Sequence, residues 1–501
     1  MKKLIFCSPG LFAVLLLLSG CASSLKSINP NKKFSPEELR EDYTLLRKML
    51  EDVHPSLYWY TPKDSMNYYF DQGYQKIQDS MTEPGFRTLL SYVLARINCG
   101  HTSSRYSSDY NRFLEIARLK SFPLSVKIWQ DTMVVTANLN RKDSILKRGT
   151  PILRINGRRQ QDIVDSLSKY LSSDGYNNVA KYQQLSNRGT FASWYKNIYG
   201  LTDKFTIEYL DSNGAVASTV VPLYDPAKDT MAFRGAPPVK LSKKEIKKQR
   251  RFLTRNLQVD TVMNTGFMTL ASFSRGNDLG SFFRRSFKLL EKRKIEHLVI
   301  DVRGNGGGDA SLSTLLTRYL ADHSFKIADS LYATRRSTNY SKYIEKQFLY
   351  WVAMQFVTNR HSDKKYHFGY FERHYFKPKR KHHYDGKVYL LTGGNSFSAT
   401  TLFASALKGQ KNVLIVGEET GGAAYGNTAW MIPDARLPNT KMGFRLPKFR
   451  LVMNRHGEKN GRGVQPDVFA GPSVKAIKEG VDYKIEKVRE LIIADSSHAK
   501  Q

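Results

Sequence analysis

Two apolar runs that break into glycine-rich turns constrain this chain more than any other feature. The first, Leu298-Val299-Ile300-Asp301-Val302, runs into Arg303-Gly304-Asn305-Gly306-Gly307-Gly308. The second, Val388-Tyr389-Leu390-Leu391-Thr392, runs into Gly393-Gly394-Asn395-Ser396-Phe397-Ser398 and then the helical pattern Leu402, Phe403, Ala406, Leu407. Beyond Gly266 such apolar strands alternate with helices, ending in a helix from about Asp482 to Ile493, which predicts an α/β core. Loops after strand ends are where such sheets bind ligands, and glycines let backbone N–H groups approach a reacting oxygen. The Gly-Lys-Ser/Thr ending of a P-loop and the Rossmann glycine spacing are both missing, which excludes two nucleotide-binding readings.

The remainder of the chain divides by pattern. Residues 34–110 open with Ser35-Pro36-Glu37-Glu38, a helix start with a capping serine. Helical patterns then run through Leu39, Tyr43, Leu46, Leu50, through Phe70, Tyr74, Ile77, and through Phe86, Leu90, Val93, Ile97, up to Cys99-Gly100-His101-Thr102. In residues 111–225 the period shortens towards two, with strands near Leu124–Ile128 and Met133–Val135, a turn-strand-turn at 146–157 and a helix from Ile163 to Leu171. This block resembles a PDZ domain, whose strand edge and helix take an extended peptide end. Residues 226–260 read as a connector with a basic helix, either a solvated charged face or a contact for an anionic membrane. The core spans 261–495, with an insertion at 325–383 rich in aromatic and basic residues. That insertion suits a cleft lining or a charged surface, and no nucleic-acid motif accompanies it.

Lys2 and Lys3 precede the apolar run Leu11 to Leu18, too short to span a bilayer, so residues 1–20 read as a signal peptide. The run ends in Leu18-Ser19-Gly20-Cys21, which resembles a bacterial lipobox and predicts lipidation at Cys21, with a tether over 21–33. Removal of Cys7 and lipidation of Cys21 leave only Cys99, so no intramolecular disulfide framework is expected. The reading places the chain at the cell envelope, facing the periplasm and held to the membrane by lipid. Its formal net charge of +33 suits anionic envelope components, and export argues against nucleic acid.

A serine between a sharp turn and a helix, as Ser398 is, serves either as a nucleophile at the positive end of the helix dipole or as a helix cap. Two further motifs follow in order, Val416-Gly417-Glu418-Glu419-Thr420-Gly421-Gly422 and Gly463-Val464-Gln465-Pro466-Asp467. Together the four motifs resemble the core of the tail-specific, or C-terminal processing, peptidases and their tricorn-like relatives, over most of the mature chain. The resemblance implies a crotonase-like α/β core and an endopeptidase that cleaves extended or unfolded polypeptide without a cofactor or metal. It puts the nucleophile on Ser398 rather than Ser396, and the oxyanion hole on the amides of Ala399 and of Gly306 or Gly307.

The base is less uniform among these peptidases. Ser-Lys members carry a lysine after the Gly-Glu-x-Thr turn, where this chain has Ala423, and Lys408 and Lys411 lie on the wrong side of that turn. Tricorn-like members use a histidine ahead of the PDZ-like block, which His101 matches and whose ordinary pKa near 6.5 suits the task. The glutamate that orients it falls on Glu458 as the nearest candidate, although strict spacing gives Asn460. Two other readings remain: a non-catalytic envelope protein that binds peptide or an anionic polymer, and a hydrolase of a non-protein ester or amide.

Overall fold

The structure is a computed structural model and describes residues 28–229 and 241–498. The predicted signal peptide and Cys21 lie outside the described residues. So does the stretch 230–240 of the connector.

A six-stranded sheet forms the centre of an α/β fold, in the order Arg255–Asp260, Thr265–Leu270, His297–Asp301, Lys387–Thr392, Val413–Gly417, Val468–Phe469. The first pair is antiparallel and every other neighbouring pair is parallel. Parallel neighbours require crossovers, which cover both faces of the sheet and explain why the strands are apolar without alternation. Leu298, Ile300, Val388 and Leu390 face the helices Leu279–Lys292, Ala310–Leu320 and Ala399–Leu407, packing on Phe283, Phe287, Leu316 and Phe403. Val299, Tyr389 and Leu391 face the other way, onto Val488 and Ile492 of the closing helix Tyr483–His498.

The sheet begins earlier than the sequence pattern predicts, because Arg255–Asp260, inside the expected connector, pairs with Thr265–Leu270. Its first residue is a buried arginine held by the Asp278 backbone carbonyl and carboxylate and set over the Phe282 ring. A charge paired in this way hides a strand from a hydropathy pattern. The insertion is likewise built into the core. Its strands Ser330–Ala333, Asn359–Arg360 and Tyr366–His367 share a five-stranded sheet with Arg450–Val452 and Gly426–Asn427.

Helix Pro36–Val53 opens with the expected capping box, Ser35 and Glu38 each accepting from the other's backbone amide. With Lys63–Gln75 and Glu83–Ala95 it buries Leu39, Leu46, Phe70 and Leu90 against Leu437, Phe444 and Leu446 of the C-terminal half. The N-terminal helices therefore do not close a core alone. Strand Ser104–Arg105 pairs with Gly443–Arg445, so the loop bearing His101 is pinned on both sides.

Residues between Phe122 and Val221 close their own core around Phe122, Ile155, Leu167 and Phe205. Here the helix runs Gln160–Ser168, a turn earlier than its apolar pattern indicated, and helices Asn178–Ser186 and Thr190–Tyr199 follow. No helix among the described residues is long and apolar enough to cross a membrane.

Candidate active site

The strand Lys387–Thr392 ends in a turn locked from beneath by Ser396. This side chain is fully buried, donates to the Val302 carbonyl (2.8 Å) and accepts from the Gly393 amide (3.2 Å). Ser396 thereby ties the second glycine turn to the first. Ser398, two residues on, precedes helix Ala399–Leu407 and makes no capping bond, with φ 57° and ψ −122°. A non-glycine residue there is strained by about 1–3 kcal/mol, which the surroundings must hold in place. Ser398 is partly exposed, and its side chain does not bond the helix it would otherwise cap.

The first glycine loop packs directly against this serine. A Cβ on Gly307, at φ +99°, would stand 2.7 Å from Ser398 Cβ and 3.0 Å from the Ala399 amide nitrogen. Only glycine fits. Its N–H donates to the buried Asn305 side chain (2.9 Å), while the Phe397 amide donates to the Asn305 carbonyl (3.1 Å). Of the three amides expected at an oxyanion hole, that of Gly307 is engaged in this way. No hydrogen bond is formed by those of Gly306 and Ala399 among the described residues.

His101 enters from the loop after helix Glu83–Ala95. Its ring lies 4.5 Å from the Phe397 ring at 33°. It is 2% exposed, and neither ring nitrogen has a hydrogen-bond partner. Burial, then the charges of Arg445 and His54, holds its pKa down to about 3, so the imidazole is neutral at neutral pH. Gly100 permits the approach, since a Cβ there would meet Phe397 Cζ at 2.6 Å.

The carboxylate beside His101 is Asp174, not Glu458. Asp174 Oδ1 lies 3.9 Å from His101 Nδ1 and accepts from the Gly100 amide at 2.7 Å. Burial pushes its pKa up to about 7, against the backbone amides of Gly100 and Ala423. It stands in the loop 172–177 between two helices of the middle block, and that loop is stitched on both sides. Ser172 Oγ donates to the Thr102 carbonyl (2.7 Å), the Gly175 amide to Asn98 (2.9 Å) and the Tyr176 amide to Gly461 (3.0 Å). The left-handed turn of Gly175, φ +58°, lies against the Gly461 backbone. Sequence reasoning missed Asp174; the one signal was an Asp-Gly turn between two helical patterns.

Glu458 is exposed and accepts from Asn460 Nδ2 (3.2 Å). Ala423 is fully buried where a Ser-Lys enzyme has its lysine, and Lys408 pairs with Asp467. The other motif residues brace the site: Glu418 accepts from the buried Lys484 (2.8 Å), Glu419 from Arg462 and the Gly463 amide, and Thr420 Oγ1 from the Val464 amide (2.8 Å). Cys99 is buried, and burial and the Asp174 charge raise its thiol to about 12. It is therefore protonated and no nucleophile.

A cleft of about 600 Å³ opens beside these groups, lined by Gly306 and Phe397 from the core, Gly100 and Arg87 from the N-terminal half, and Ser173 and Trp194 from the middle block.

The model of peptidase family S41 matches residues 264–469. Among solved structures, mature CPAF is similar at 16% identity and a TM-score of 0.61, over 92% of this chain and 98% of its own. A serine-to-alanine mutant of CPAF is similar at 13% identity and a TM-score of 0.63, over 92% and 97% of the two chains. The tricorn protease matches at 14% identity and a TM-score of 0.36, over 92% of this chain and 37% of its own. No curated protein sequence matches this chain.

Proposed function

We propose that this chain, whose residues 264–469 match the model of peptidase family S41, is a serine-type endopeptidase for extended or unfolded polypeptide, with Ser398 as nucleophile, His101 as base and Asp174 as the carboxylate that orients the base. The observation that carries this reading is the strained, uncapped backbone at Ser398 beside Gly307 and Phe397. A helix cap would adopt extended backbone and bond its own helix.

In the proposed reaction Ser398 Oγ attacks the peptide carbonyl carbon as its proton passes to His101, and the carbonyl oxygen becomes an oxyanion facing the Gly306 and Ala399 amides. His101 then gives the proton to the leaving amine. Water hydrolyses the acyl-enzyme by the same exchange in reverse order. Asp174 acts through His101: a movement of about 1 Å in the loop brings Nδ1–H into hydrogen-bond range and leaves Nε2 as acceptor. Apo sites of this kind are often looser than their substrate complexes.

The cleft between three parts of the chain suits an extended substrate, and the PDZ-like reading of the middle block would give it a strand edge for a peptide end. We also place the chain at the cell envelope, facing the periplasm and held by lipid at Cys21, with the basic surface towards anionic envelope components. Purified protein should cleave casein and be labelled by a serine-directed fluorophosphonate. Ser398→Ala should lose both, and retention of either removes Ser398 from the reaction. Wild-type protein that binds unfolded polypeptide but neither cleaves nor labels would instead be a binding protein on this fold. Cleavage of small esters without casein would make it a hydrolase of non-protein substrates.

A further inference from the structure

Five polar side-chain atoms of His101, Asp174, its chain neighbour Ser173 and Tyr60 are buried without a hydrogen-bond partner: both ring nitrogens of His101, Asp174 Oδ2, Ser173 Oγ and Tyr60 Oη. Leaving such atoms unpaired is costly, and a native cluster of them calls for an occupant. Tyr60 belongs to the same cluster, since the Asp174 and Cys99 charges both bear on its phenol. One ligand atom each from Cys99, His101 and Asp174 lies within 4.8 Å of the others. We propose that Cys99, His101 and Asp174 form a zinc site, and that zinc binding there switches the peptidase off by occupying its base.

The donor set fits the ion. A thiolate, a carboxylate and a neutral imidazole are ordinary zinc ligands, and together they neutralise the dication, which a buried site demands. Ligand atoms around a tetrahedral zinc stand roughly 3.3–3.8 Å apart at the usual bond lengths. The cluster therefore needs to contract by about 1 Å, and His101 Nδ1 and Asp174 Oδ1 already stand 3.9 Å apart. The Cys99 S–H bond breaks as the Zn–S bond forms, and its proton leaves to solvent. Zinc keeps its charge state, and water takes the fourth position. The nearby Arg445 opposes a cation, so the two anionic ligands are essential. Gly100, between Cys99 and His101, lines the cleft and gives the ion a route in.

The inhibitory half of this proposal rests on His101 being the base, whereas the site itself does not. Metal-free protein is titrated with Co²⁺ and then Zn²⁺, with the absorption spectrum and casein hydrolysis followed together. Wild type and Ser398→Ala should each bind one Co²⁺ with a thiolate-to-cobalt charge-transfer band that Zn²⁺ removes. Cys99→Ser should lose the band. It should still hydrolyse casein and require at least about tenfold more zinc for inhibition. A wild-type spectrum without the band, or a band or zinc sensitivity unchanged in Cys99→Ser, overturns the site. Should Cys99→Ser not fold, Cys99→Ala replaces it, and the wild-type and Ser398→Ala spectra decide on their own. A band in a protein that never hydrolyses or labels sustains the zinc site and removes the catalytic reading instead.

Discussion

Phe397 and His101 lie ring against ring, with centroids 4.5 Å apart. The residue before the strained serine thus sets the depth to which the histidine enters the site. Gly100 is what lets it do so, because a Cβ there would strike Phe397 Cζ at 2.6 Å. Gly100→Ala should cost about 1–3 kcal/mol of stability by overpacking. It should lower kcat more than it raises KM, and Phe397→Leu in the same chain should restore part of the loss. Equal kcat in wild type and Gly100→Ala would show that the contact sets nothing.

Asp174 supplies a prediction with opposite signs in activity and stability. Its pKa is raised by burial to about 7 from 3.8. Its share of stability is therefore complete below the unfolded pKa and lost as pH rises towards 7, where the folded protein must hold a buried carboxylate. Asp174→Asn keeps an acceptor for the Gly100 amide. It should be more stable than wild type above pH 7, by up to about 4 kcal/mol, with no gain near pH 4. Its kcat should fall by roughly 10²–10⁴ through loss of the histidine's orientation. Thermal melts across pH, alongside casein hydrolysis, measure both.

Acid should weaken the fold through two neutral histidines. His54 and His101 are each held down to about 3, burial being the first cause. Depressed values give stability that is present above an unfolded pKa near 6.5 and lost as pH falls towards 3. Each ring should contribute up to about 1.4 kcal/mol per pH unit over that interval. His54, which pairs with Thr102 Oγ1 at 2.9 Å, takes no part in the proposed reaction itself. His54→Gln should flatten the acid limb of a urea-melt profile, and an unchanged limb would assign it to other groups.

Two side chains should separate chemistry from bracing. Ser396→Ala removes the Oγ bonds to the Val302 carbonyl and from the Gly393 amide and should cost about 1–3 kcal/mol, while fluorophosphonate labelling persists. Glu458→Gln alters an exposed carboxylate and should leave kcat/KM within about twofold, given the small effect of most surface substitutions. A large loss in Glu458→Gln would return that residue to the site.

The sheet was legible because strands covered on both faces are apolar throughout, as at Leu298–Ile300 and Val388–Leu391. The edge strand Arg255–Asp260 was not, since it opens with an arginine that only tertiary contacts neutralise. At the site, strand, turn and helix around Ser398 could be read locally, but the choice between cap and nucleophile lay in a positive φ that no pattern encodes. Asp174 was hidden for a related reason. Its position beside His101 depends on a loop of the middle block bonding to Thr102 and Gly461, residues far from it in sequence and from each other.

That threefold stitching also bears on when the cleft can form. His101 and Asp174 emerge early in synthesis, Ser398 much later, and the Gly461 segment that clamps the Asp174 loop later still. A chain made from its N-terminus cannot complete the cleft until nearly all of it has been synthesised. The order of emergence thus works as a built-in delay on assembly of the cleft.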